Sequence, residues 1–135
     1  MESSDNLNIV FIGSGAISTS IGNVLSMKDK FNVVLLSVEE DVVDSINENH
    51  VNAKYFPQIK LHKSLTATMD KSVLSDADII FIGIPSNIVV GYIERHKALI
   101  NSSSLIVNLA KGFGPDPKTI QLGLSKIVPN QTFSI

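Results

Sequence analysis

The sequence predicts a doubly wound α/β domain with helices on both faces of a mostly parallel sheet, and three observations lead there. The apolar runs Ile9-Val10-Phe11-Ile12, Phe31 to Leu36 and Ile79-Ile80-Phe81-Ile82 lack strict polar alternation, which suits strands covered on both faces. Stretches with helical spacing fall between such runs, so strand and helix alternate along the chain. The first run also stops abruptly at Gly13-Ser14-Gly15, where the pattern turns helical.

Composition bounds the reading. A chain of 135 residues is one domain's worth and buries roughly two thirds of its unfolded surface around a single core. A formal charge of -2 with scattered Lys and Arg offers no basic stripe, so neither nucleic acid nor an anionic membrane is an expected partner. The absence of Cys excludes disulfides and Cys-based metal sites and fits a reducing compartment. The acidic start Met1-Glu2-Ser3-Ser4-Asp5 lacks the regions of a signal peptide, and no apolar run reaches the length of a membrane span. A soluble, cytoplasmic protein is the expectation. The three His, at 50, 62 and 96, have no metal-ligand spacing, and no metal is expected.

Residues 1–7 read as a polar tail, and residues 8–135 as the domain. After the first strand, Gly13 allows a tight turn and Gly15 lets a pyrophosphate approach the backbone. The helix that follows offers free N–H groups and the positive end of its dipole. Ser18 occupies the place of the third glycine of the Rossmann dinucleotide fingerprint, small enough for helix to pack closely on strand. Ile17, Ile21, Val24 and Leu25 lie at helical spacing and predict one apolar stripe laid on the sheet, ending near Lys28-Asp29-Lys30. Phe31 to Leu36 is the second strand, which completes a βαβ unit. Glu39 follows its tip, 24 positions beyond Gly15, about where this fold holds the adenosine ribose by a carboxylate. Alternatively, Glu39 to Asp41 supply negative charge to the first turn of a helix through Val42, Val43 and Ile46.

Residues 47–63 form the longest stretch without periodicity, and His50 with its neighbouring asparagines is expected to pin it through side-chain hydrogen bonds. A short strand at Leu65 to Thr68, a turn of helix at Lys71 to Ser75 and a central strand from Ile79 to Ile84 come next. Ser86 or Asn87 can cap a helix whose Ile88, Val89, Tyr92 and Ile93 face the core. Leu105 to Leu109 is a further strand that runs into Ala110-Lys111-Gly112. Pro117 opens a helix carrying Ile120, Leu124, Ile127 and Val128, and Thr132 to Ile135 begins a last strand. The strand order expected is near 3-2-1-4-5-6, a Rossmann-type arrangement.

The succession Gly13-Ser14-Gly15, Ile46-Asn47-Glu48-Asn49-His50-Val51-Asn52-Ala53-Lys54-Tyr55-Phe56-Pro57, Ala67-Thr68-Met69-Asp70, Asp76-Ala77-Asp78-Ile79-Ile80, Ile84-Pro85-Ser86 and Ala110-Lys111-Gly112 resembles the N-terminal domain of NAD-dependent glycerol-3-phosphate dehydrogenase. The resemblance covers essentially everything after Leu7. It implies a two-domain enzyme, dimeric when whole, that interconverts glycerol 3-phosphate and dihydroxyacetone phosphate by hydride transfer. It further implies that Gly13, Ser14, Gly15, Ala16, Ile17 and Ser18 hold the pyrophosphate, and that Val38 and Ile88 pack on the dinucleotide near Glu39 and Pro85. Lys111 matches a family lysine that reaches the substrate beside the nicotinamide. The family's second lysine and its phosphate-binding arginine belong to a helical C-terminal domain that the 135 residues do not contain. Val38-Glu39-Glu40-Asp41 is closer to the family's animal branch, which uses NAD, than to its bacterial branch.

From physics alone, Lys111 follows a central strand at the edge where open α/β sheets bind ligands, and an ammonium there meets a phosphate or polarises a carbonyl. NAD is expected over NADP, because a 2′-phosphate near Glu39, Glu40 and Asp41 meets like charge and Val38 offers no arginine. Two other readings stay open. One is the N-terminal domain of another small-substrate dehydrogenase such as ketopantoate reductase, whose sequences lack the Asn47 to Pro57 pattern. The other is a free-standing NAD-binding module without catalysis.

Overall fold

β1, Leu7–Ile12, lies in the middle of a six-stranded sheet and is paired on both edges, to β2, Phe31–Leu36, and to β4, Ile79–Ile82. A computed structural model of the chain describes residues 6–110, 117–128 and 132–134. β3, Thr66–Thr68, extends the sheet beyond β2, while β5, Leu105–Asn108, and β6, Thr132–Ser134, extend it beyond β4. All five pairings are parallel, and the order is β3-β2-β1-β4-β5-β6, as the sequence leads one to expect. β1 takes in Leu7, whose N–H bonds Lys30 O at 2.8 Å, so the strand begins one residue before the expected start of the domain.

β1, β2 and β5 bury residues on both faces, and the pleat sorts the sheet's apolar residues between two cores. Ile9, Phe11, Val33, Leu35 and Ala67 face one side, against Val42 and Ile46 of α2, Glu40–Asn49, with Leu61 and Leu65 from the loop beyond it. Val10, Ile12, Ile80, Ile82 and Ile106 face the other, against Val89 and Ile93 of α3, Val89–His96, and Ile120 and Leu124 of α4, Pro117–Ile127. The rings of Phe11 and Phe81 stack across neighbouring strands, with centroids 4.7 Å apart.

α1, Ala16–Ser26, departs from the stripe that its apolar residues predict. Ile17 and Val24 are each 59% exposed, and the residues buried against the sheet are Ser18, Thr19, Gly22 and Ser26, with Ile21 and Leu25 packed at the margin. The cause is distance. A Cβ on Gly22 would stand 3.1 Å from Leu35 Cδ2, so the helix lies too close to β2 for a larger side chain on that face. α1 also ends at Ser26, short of Lys28.

The order reverses between β1 and β4, since the chain leaves β1 towards β2 and later returns on the other side. At such a reversal the loops after the two strands diverge, and a crevice opens beyond their carboxyl ends.

Candidate dinucleotide cleft

A cleft of about 550 Å³ opens at that place. Its floor is the turn from β1 to α1, where Ile12, Gly13, Ser14, Gly15, Ala16 and Ile17 all line it. Gly13 has φ +109, a backbone conformation that suits glycine, and a Cβ there would lie 2.6 Å from Gly83 O. Gly15 is the N-cap of α1 with φ -76, and nothing stands within 4 Å of the place its Cβ would take. The open space above Gly15 is a cradle that any side chain would fill. No side chain caps α1, and its first turn has no acidic residue, so its free N–H groups and positive dipole end face the cleft uncompensated.

Three buried polar groups hold the floor rigid. Ser14 Oγ lies 2.7 Å from Ser37 Oγ, joining the turn to the end of β2. Asn52, fully buried in the long loop, donates from Nδ2 to Ser14 O at 3.0 Å and to Thr19 Oγ1 at 2.8 Å. Its Oδ1 accepts Tyr55 N–H at 3.2 Å. The loop is therefore fastened to the glycine turn by a single side chain, as expected of the asparagines. Asn47 plays a similar part, exchanging two hydrogen bonds with Ala67 of β3. His50 does not. It ends α2 in the left-handed conformation with φ 58, and its backbone bonds Ile46 and Leu61, while its buried Nδ1 meets no partner among the described residues.

The cleft's far wall carries Leu36, Ser37, Val38 and Glu39 from the tip of β2, with Tyr55, Met69 and Lys71 beside them. Glu39 is the N-cap of α2, and its side chain, 28% exposed, forms an ion pair through Oε1 with Lys54 Nζ. The hydrogen bond to Glu39, and then its charge, holds the Lys54 ammonium above the ordinary lysine value. The other wall is Gly83, Ile84 and Pro85 after β4, with Tyr92 of α3. Burial pushes the Tyr92 phenol above its ordinary value.

Of the residues expected at the site, Gly13, Ser14, Gly15, Ala16, Ile17, Val38, Glu39 and Pro85 come together around the cleft. Ser18 and Ile88 are not among its lining residues. Ser18 is buried beneath the floor against Gly83, which is close helix-on-strand packing without a ligand-facing role. Ile88 precedes α3 and is 42% exposed, so it does not face the core as expected, and no side chain caps α3. Lys111 lies outside the described residues. The residue before it, Ala110, follows β5 and is fixed by its N–H on Asn108 Oδ1 at 2.9 Å. Tyr55, Met69 and Lys71 have no local spacing signal, and Tyr92, expected to face the core, packs half-buried against it and also lines the cleft, because the fold gathers the four from three connections.

An uncapped helix over two glycines, an acid at the tip of the second strand and a crevice at the switch point together define a dinucleotide-binding domain of the dehydrogenase type. Residues 8–134 match the family described as the N-terminus of NAD-dependent glycerol-3-phosphate dehydrogenase, and the chain belongs to that family. Among curated relatives, glycerol-3-phosphate dehydrogenase [NAD(P)+] of Neorickettsia sennetsu is 35% identical over 106 residues, which are 78% of this chain and 31% of that protein. The enzyme of the same name from Bacillus subtilis is 31% identical over 110 residues, covering 80% and 31%. Among solved structures, glycerol-3-phosphate dehydrogenase from Saccharomyces cerevisiae superposes with a TM-score of 0.83 at 26% identity, over 96% of this chain and 41% of that one. A ketopantoate reductase from Ralstonia eutropha, at 18% identity and a TM-score of 0.72 over 95% and 40%, shares the fold. The chain spans about a third of the length of the curated relatives it matches. Among the described residues no helix is long and apolar enough to cross a membrane.

Proposed function

We propose that this chain is the cofactor-holding part of an enzyme that transfers hydride between NAD(H) and the glycerol 3-phosphate/dihydroxyacetone phosphate pair. The observation that carries the reading is the uncapped N-terminus of α1 opening on the cradle at Gly15. The bound dinucleotide would supply the hydride. Ala16, Ile17 and the turn before them hold the pyrophosphate through backbone N–H groups, Glu39 takes the ribose hydroxyls, and Val38, Tyr55 and Met69 offer apolar surface to the adenine. Pro85 flanks the other side. Lys111, one residue past Ala110 at the carboxyl edge of the sheet, is proposed as the cation that meets the substrate oxygen. Support for it comes from its position in the sequence and its match to the family's A-K-G motif.

The remaining substrate-holding groups are assigned to a further domain, for which the much longer relatives leave room, with residues 8–135 as the cofactor domain. A dimeric whole enzyme in the cytoplasm completes the reading and rests on the resemblance and the Cys-free composition. Calorimetric titration of the chain with NADH tests the central claim. Saturable binding at one site per chain is the expected result, and no binding at millimolar NADH would overturn it.

A further inference from the structure

Resting on the reading of the cleft as a dinucleotide seat, we propose that Lys54 is a specificity-determining residue, which supplies the countercharge that lets this site accept a 2′-phosphate as well as a free ribose hydroxyl. The charges of the β2 tip in sequence argue the other way, since Glu39, Glu40 and Asp41 are all acidic and Val38 carries none. The fold adds what sequence order conceals. Lys54 arrives 15 residues later, from the loop, and pairs with Glu39, the acid that lines the cleft.

Its position is fixed from both sides. Asn52, two residues earlier, is locked to Ser14 and Thr19, and Tyr55, one residue later, is bonded to Asn52 and forms part of the cleft wall. The ammonium lies 5.5 Å from the Tyr55 ring centroid and the side chain is 52% exposed, so it can turn between neighbours without losing its water. The pair then works as a two-position element. With a free 2′-hydroxyl, Lys54 stays on Glu39 Oε1 and the second carboxylate oxygen accepts from the ribose. With a 2′-phosphate, the ammonium moves onto the phosphate and offsets the repulsion from Glu39, a charge-assisted contact that an ammonium makes as a point charge.

Titrations of the chain with NADH and with NADPH, followed by cofactor fluorescence, test this in the natural sequence and in Lys54→Met, Lys54→Arg, Glu39→Gln and Lys71→Met. The natural chain should bind both, NADH the more tightly. Lys54→Met should weaken NADPH binding by about tenfold while moving NADH less than about threefold. Lys54→Arg should restore NADPH binding, and Glu39→Gln should shift the ratio towards NADPH. Equal changes for both cofactors in Lys54→Met, no change in either, no measurable NADPH binding by the natural chain, or a ratio that moves in Lys71→Met and not in Lys54→Met would each overturn the assignment. A natural chain that binds neither cofactor would overturn the dinucleotide reading itself.

Discussion

Gly13 and Gly15 stand two residues apart and answer to different constraints. Gly13 serves the fold, because its φ of +109 and the 2.6 Å approach of Gly83 O leave no room for a Cβ. Gly13→Ala should cost about 1–3 kcal/mol, seen as a lower urea midpoint. Gly15 serves the ligand, since the space beside it is open and its φ is ordinary. Gly15→Val should therefore stay folded, losing only the roughly 1 kcal/mol by which Val is a poorer N-cap than Gly, and should lose NADH binding. If that variant is folded and binds NADH normally, the pyrophosphate lies elsewhere. Asn52 joins the two concerns: Asn52→Ala would leave Ser14 O with only the Thr19 hydroxyl at 3.3 Å and take the acceptor from the Tyr55 N–H, at a cost of about 1–3 kcal/mol in urea unfolding. The glycines were legible because their chemistry is local. That an asparagine would pin the loop was legible from the residue type, but the partners of Asn52 were not, because they lie 38 and 33 residues away.

At the scale of elements, α1 shows where periodicity misleads. Counting apolar residues puts Ile17 and Val24 on the sheet, whereas close approach demands the small face of Ser18, Thr19 and Gly22. Gly22→Val should cost about 2 kcal/mol by overpacking Leu35, Leu65 and Phe11, while Val24→Lys should change stability by less than about 0.5 kcal/mol. Thermal melts of the two variants check both values, and a severe loss in Val24→Lys would restore the larger stripe. The helix that begins with Pro117 behaves as written, with Ile120, Leu124 and Val128 buried, and its own close approach, to Val90 of α3, falls at Gly123 between the large apolar residues. α3 differs again: a 3₁₀ turn, Ser86–Ile88, precedes it and rotates Ile88 outward.

For the whole molecule, the sheet order followed from the alternation of apolar runs and helical spacing, with the glycine turn marking the first strand. The cleft's walls did not follow, since Tyr55, Met69 and Lys71 meet only after two separate connections close. These 135 residues should bind NADH yet fail to reduce dihydroxyacetone phosphate. A proton for the new alkoxide, of the kind commonly worth a hundredfold or more in rate, has no assigned donor among them, and a half-open cleft leaves the nicotinamide in water. NADH oxidation by the purified chain, with Lys111→Ala as the control, reads this out. A rate typical of dehydrogenases that vanishes in the control would place the chemistry within this domain.

The central place of β1 has a consequence for how the chain is made. Its second neighbour, β4, lies some 70 residues downstream, where Asp78 Oδ2 accepts the N–H of Asn8. At ordinary synthesis rates of about 5–20 residues per second, β1 waits roughly 4–14 s with one edge and one apolar face bare. During that interval it is an open template for any other nascent strand. The partners of the asparagine clasp between the long loop and the glycine turn all lie within the first 55 residues, so that part of the seat can be joined while the sheet is still half built, before the wall at Gly83, Ile84 and Pro85 exists. A ligand that binds that early unit would act as a folding aid before it acts as a coenzyme.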